Sequence, residues 1–323
     1  MFQAVSVVLF ILGAFPGVRA VTSTSVNPAV AAVPAPNVAS VTVEAVPVNF
    51  PLRPHSVRFG VIGDSGTGNS AQYEMGREME DIRKTTNFDF VVMLGDNLYG
   101  GHSRSDYADK FERPYKPLLD AGVKFYAALG NHDETSEASY PLFNMGGQRY
   151  YTFSKGNVQF FVLDSNFMSA QQLDWLKSEL QKSTADWKIA YFHHPLYSDG
   201  KRHGGDGSLR AVLAPVFKQY GVNVVLAGHD HVYERITPQE GTAYFVLGNS
   251  GQLRSGGLDK SPEEALGFDR DRCFMMMEVA GDQLYFKAIS RSGQTVDSGV
   301  IRHQATAGTA AGTATAVPQG GSH

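Results

Sequence analysis

A single cysteine, Cys273, stands among 323 residues, so no disulfide can form within the chain. It adjoins the apolar run FMMMEV, where a small buried side chain is expected rather than a nucleophile or a ligand. Charge of either sign is also sparse. Lys and Arg total 28 against 32 Asp and Glu, a net charge of −4. Without a basic field, neither nucleic acid nor an anionic membrane is indicated as a partner. No Asn-x-Ser/Thr sequon occurs, so N-glycosylation is not expected. Long apolar runs are missing except near the start, where Val5–Ala14 is too short to span a bilayer comfortably. Pro16 follows that run, and small residues flank a cleavage site after Ala20. Residues 1–20 therefore read as a signal peptide, although no Lys or Arg precedes the run; an uncleaved anchor is the alternative. The chain is then expected to be secreted or held in the lumen of a secretory or vacuolar compartment, with no membrane span once mature.

Hydrophobic residues make up 42% and charged residues 19%, as in ordinary globular proteins. The length suffices to bury a core without cross-links. Residues 21–54, rich in Val, Ala, Pro, Ser and Thr, read as an extended linker or propeptide outside the core. Residues 305–323 are low in complexity and read as a disordered tail, leaving 55–304 as the working domain.

Within that domain, short apolar runs end repeatedly in Gly and polar residues. They precede GDSG, GDNLY, GNHD, DSN, HHP, GHDH and GNSG. Near-continuous Val, Ile, Leu and Phe predict strands covered on both faces. Helices are predicted over Ser70–Lys84, over Ser103–Leu119 with a break at Pro114 and Pro117, and over Gly207–Tyr220. A further helix opens at Ser169, with Gln172 completing a capping box. A β-meander with a Gly-Asp turn follows Phe274. The alternation predicts an α/β layered sandwich, whose ligands gather beyond the carboxyl ends of the strands.

Those ends carry Asp64, Asp96, Tyr99, Asn131, His132, His193, His194, His229 and His231. Taken singly, a strand-end Asp is usually a cap, and a lone His usually faces solvent. Convergence on one sheet edge changes the balance, because three separate motifs would each have to be accidents. Carboxylates, a phenol, an amide and imidazoles without a thiolate suit Fe, Mn, Zn or Mg. A carboxylate shared by two ions gives the paired-metal arrangement used for in-line phosphoryl displacement.

In this order the motifs GDSG, GDNLY, GNHD, FHHP and GHDH resemble the metallophosphoesterase superfamily, whose layered α-β-β-α sandwich has mixed sheets. Within it, they resemble the purple acid phosphatases of the small tartrate-resistant type. The departure from most of the superfamily lies at Gly66, which stands where a metal-binding His is usual. The resemblance makes Tyr99 the replacement donor, with Asp64, Tyr99 and His231 holding Fe(III) and Asp96 bridging. Asn131, His193 and His229 would hold a divalent ion (Fe, Zn or Mn). His132, and His203 after a one-residue shift in spacing, would contact the substrate phosphate without binding metal, and His194 would pack behind them. The implied activity is an acid phosphatase, with attack on phosphate monoesters by a hydroxide held on the metal pair. Small phosphorylated molecules or phosphoproteins would be the substrates. A phosphodiesterase or nucleotidase on the same scaffold is the nearest alternative, and a secreted binding protein with a vestigial site is the more distant one.

Overall fold

The computed structural model describes residues 40–303, so the proposed leader and tail lie outside the described residues. Fourteen strands form two seven-stranded mixed sheets. The first orders β1 (Val41–Ala45), β14 (Thr295–His303), β13 (Gln283–Ser290), β12 (Cys273–Ala280), β2 (Val57–Ile62), β3 (Phe90–Met93) and β4 (Lys124–Ala127). The second orders β11 (Glu264–Phe268), β9 (Tyr233–Gln239), β10 (Thr242–Leu247), β8 (Val224–Ala227), β7 (Trp187–Tyr191), β6 (Val158–Val162) and β5 (Tyr151–Lys155). The strands feeding the chemical motifs run parallel: β2, β3 and β4 in one sheet, β6, β7, β8 and β10 in the other.

Alternation explains the layers. Phe59, Val61, Phe90 and Val92 face Phe160, Ile189, Leu226 and Phe245 between the sheets. Their neighbours Ile62, Val91 and Met93 point outward onto Met75 and Met79 of helix α1 (Ser70–Thr86). On the far side, Phe161, Ala190 and Val225 pack against α4 (Ala170–Lys182) and α5 (Gly207–Tyr220). The result is an α-β-β-α sandwich. Both faces of the central strands are buried, so the runs read as continuous apolar sequence.

Caps fix the helices. Asn69 accepts from Gln72 N–H at the start of α1, and left-handed Asn87 ends it. Asp206 caps α5 on two amides, and Gly221 closes it with φ +66°. The helix expected over Ser103–Leu119 is broken into α2 (Arg104–Tyr107), a π-turn (Ala108–Glu112) and α3 (Lys116–Asp120). The prolines, lacking N–H donors, account for the break.

Two expectations need correction. The stretch read as linker contributes β1, which pairs with β14 along its full length. Farther on, Leu52 and Arg53 donate backbone N–H groups to the buried Glu278 carboxylate at 3.0 and 3.1 Å. Residues 41–54 thus belong to the domain; their low charge reflects an edge strand and its return. Gln172, expected to complete a capping box, instead turns its amide onto Asp164 N–H and C=O at 2.8 and 3.0 Å. It ties α4 to the loop after β6, while Ser169 still caps the helix.

Candidate metal centre

The carboxyl ends of both sheets meet above the core, and each sheet brings a different chemistry. Loops after β2, β3 and β4 supply oxygen donors: Asp64, Asp96, Tyr99 and Asn131. Segments after β7 and β8 supply His193, His229 and His231.

The donor atoms fall into two groups. Tyr99 Oη lies 3.2 Å from Asp64 Oδ1 and 3.3 Å from His231 Nε2, which is 3.4 Å from Asp64 Oδ1. Beside them, His193 Nε2 lies 3.0 Å from Asn131 Oδ1, 3.1 Å from His229 Nδ1 and 3.4 Å from Asp96 Oδ1. Adjacent donors around one ion, with bonds of about 2.1 Å, stand about 3.0–3.4 Å apart. Both groups fit a cation by this measure. One donor each from Asp64, Asp96 and His193 also lies within 4.8 Å of the others, which makes the groups neighbours.

Backbone strain and close approach hold this arrangement. Asp64, Asp96 and His229 all adopt left-handed backbone, with φ of +52°, +51° and +72°. Such conformations cost roughly 1–3 kcal/mol each outside glycine and persist only where the surroundings enforce them. Here His229 N–H donates to Asp64 Oδ2 at 2.9 Å, and His132 N–H donates to Asp96 Oδ1 at 3.0 Å. Gly66 leaves no room for a side chain, because a Cβ there would sit 1.8 Å from the Asn97 carbonyl oxygen. The Gly66 carbonyl accepts instead from Tyr99 N–H at 2.9 Å, and that pairing swings the phenol onto Asp64.

The charges are unbalanced without a cation. Burial and the Asp96 carboxylate push the Asp64 carboxyl well up, against the opposing His229 N–H and Tyr99 hydroxyl. Burial followed by Asp64 and Asp96 drives the Tyr99 phenol far above its ordinary range. Burial, then neighbouring imidazoles, lowers His193 strongly and His229 to about 2. His231 falls to about 4 through burial and Arg254. The imidazoles are thus kept neutral, as ligands must be, and the buried carboxyls lack a counter-charge. The donor set fits a metal pair.

The remaining candidates separate by position. His132 and His203 are exposed and line a cavity of about 230 Å³ over Asp96 and Asn131. The His132 ring lies 4.8 Å from Tyr99, and the His203 ring 4.2 Å from His229. His194 lines a neighbouring cavity and bonds Ser165 Oγ through Nδ1 at 2.9 Å. His102, outside the motifs, is mostly buried, 3.0 Å from Glu137 Oε1. Two groups escaped the sequence reading. Asp133 of GNHD accepts from the N–H groups of Asn97, Leu98 and Gly130 at 2.7, 3.1 and 2.8 Å, clamping two ligand loops together. Its place two residues after Asn131, closing the strand-end motif GNHD, was the available signal. Arg202 and Arg254 line the cavity with no motif to mark them.

The chain belongs to the calcineurin-like phosphoesterase family, which it matches over residues 57–233. More particularly, it is similar to purple acid phosphatases, as the motif order implied. Tartrate-resistant acid phosphatase type 5 of Rattus norvegicus is 26% identical over 292 residues, covering 75% of this chain and 89% of that protein. Purple acid phosphatase 17 of Arabidopsis thaliana is 28% identical over 232 residues, covering 61% and 68%. Among solved structures, GAP50, the anchor in the inner membrane complex of Plasmodium, superposes with a TM-score of 0.67 at 21% identity, covering 79% of this chain and 91% of that one. Purple acid phosphatase PPD1 of yellow lupin gives 0.63 at 18% identity, covering 77% and 54%. These structural likenesses bear on the fold, which they share. Among the described residues, no helix is long and apolar enough to cross a membrane.

Proposed function

We propose that this metallophosphoesterase is an acid phosphatase acting on phosphate monoesters at a binuclear centre. Asp64, Tyr99 and His231 would hold Fe(III), and Asn131, His193 and His229 a divalent Fe, Zn or Mn ion, with Asp96 shared. The observation that carries this reading is the pair of donor groups at 3.0–3.4 Å spacing on either side of Asp96. Bound cations there would supply Lewis-acid neutralisation of phosphate charge and activation of water.

The chain's own residues do the rest. His132 and His203 project into the cavity, where they can hold non-bridging phosphate oxygens. His203, on the His229 side of the cavity, can deliver a proton to the departing alkoxide. Phenolate and carboxylate donors at the Tyr99 side favour a trivalent ion. We further read residues 1–20 as a secretory leader, consistent with an acidic lumen or the exterior as the place of action. The metal-loaded full chain should hydrolyse an aryl monoester far faster than the corresponding diester. A preference for the diester would replace the phosphatase reading with a phosphodiesterase. The likeness to GAP50, described as an anchor, supports one second reading: a binding protein with a silent centre. That reading requires metal uptake with no turnover of either ester.

A further inference from the structure

The cavity above the centre is more positive than one scissile phosphoryl group requires. Besides His132 and His203, two guanidiniums line it: exposed Arg202 and half-buried Arg254. Among the described residues, neither guanidinium has an ion-pair or hydrogen-bond partner. A single unpaired surface arginine would be ordinary. Two sharing one small cavity repel each other unless an anion lies between them.

Their loops are also fixed in place. Arg254 N–H donates to His231 O at 3.0 Å, directly beside the candidate ligands. Lys201 donates N–H to Gly257 O at 2.8 Å and its ammonium to Gly256 O at 3.0 Å, and Gly200 bridges to Leu258. The loops bearing the two arginines are therefore stitched to each other. Asp230, the nearby buried acid, forms no ion pair with either guanidinium. It accepts from Ser198 Oγ at 2.7 Å and Gly204 N–H at 3.0 Å instead. Guanidinium is the side chain best suited to paired hydrogen bonding with phosphoryl oxygens. At about 230 Å³ the cavity is smaller than a typical whole-ligand pocket of roughly 300–1,000 Å³, which suits it to the charged end of a substrate.

We propose that Arg202 and Arg254 form a second anion subsite that recognises a phosphoryl group adjoining the scissile one, so that the preferred substrates end in a diphosphate. This rests on the phosphatase reading above, but it can fail separately. The test titrates the metal-loaded full chain calorimetrically with inorganic pyrophosphate and, separately, orthophosphate. Wild type should prefer pyrophosphate. Arg202→Gln and Arg254→Gln should each cut that preference roughly tenfold, the loss of one charge-assisted contact. The double Gln variant should lose the preference, and the double Lys variant should regain part of it.

A preference undiminished in the double Gln variant would overturn the subsite. So would equal losses for the two anions that Lys does not repair, since those would mark a structural role. Turnover of an aryl phosphate, measured on the same samples, judges the phosphatase reading independently. Arginine-dependent pyrophosphate binding without turnover keeps the subsite and removes the enzyme.

Discussion

Gly66 and Tyr99 illustrate how one residue's absence sets another's role. The Gly66 site is filled by the Asn97 carbonyl, so no imidazole could be accommodated without moving the loop that carries Asp96. Tyr99 instead comes from the neighbouring loop, with its oxygen 3.2 Å from Asp64 Oδ1. A phenolate on Fe(III) absorbs visible light, whereas Zn or Mn in its place would leave the protein nearly colourless. Tyr99→Phe keeps the ring, which packs 4.8 Å from His132, and deletes only the oxygen. The iron-loaded wild type should show a broad visible band that Tyr99→Phe lacks, with the far-ultraviolet circular dichroism of the two alike. A band that survives the substitution would take the phenol off the metal.

At the scale of elements, the segment from β7 to β9 carries a second acidic cluster that stability measurements can probe. Ser198 Oγ lies 2.6 Å from the Glu234 carboxyl, and Asp199 N–H donates to it at 2.7 Å. Burial nevertheless dominates and lifts the Glu234 carboxyl to about 7. The folded state therefore holds this proton more tightly than the unfolded chain does. The associated stability is present below the ordinary glutamate range and is lost as pH rises toward 7. Glu234→Gln removes the titration, so relative to wild type it should gain on the order of 2 kcal/mol between about pH 5 and pH 8. Urea midpoints at the two pH values would show it; a difference constant with pH would contradict the assignment.

The same scale shows what the sequence could convey. Strands buried on both faces announce themselves as apolar runs, and strand-end motifs mark where ligands emerge, so β2, β3, β7 and β8 were legible with their donors. Edge strand β1 was not, because Val-Thr-Val-Glu-Ala alternates weakly and takes its partner from β14, more than 250 residues later. Gln172 misled because a helix-start pattern cannot reveal that a nearer acceptor and donor, on Asp164, compete for the amide. Arg202 and Arg254 were invisible for a similar reason. Their meaning lies in a loop pairing, Lys201 to Gly257, that no local pattern encodes.

For the whole molecule, the central feature is a division of labour between the two sheets. The first brings hard oxygen donors and the second brings imidazoles, and only their packing creates the mixed set. Gly248 and Ser250 sit at that junction. Ser250 Oγ accepts from Gly63 N–H at 3.2 Å and donates to Cys273 O at 2.9 Å, joining the end of β10 to the first sheet. Asp96 lies between the two donor groups, so both ions should depend on it. The most direct test is metal stoichiometry, by elemental analysis after equilibrium dialysis of the full chain against iron and zinc. Wild type should hold about two ions per chain, as a paired site requires, and Asp96→Asn should lose occupancy at both. A wild type that retains no more than one ion, or an Asp96→Asn chain that keeps both, would contradict a shared two-metal centre.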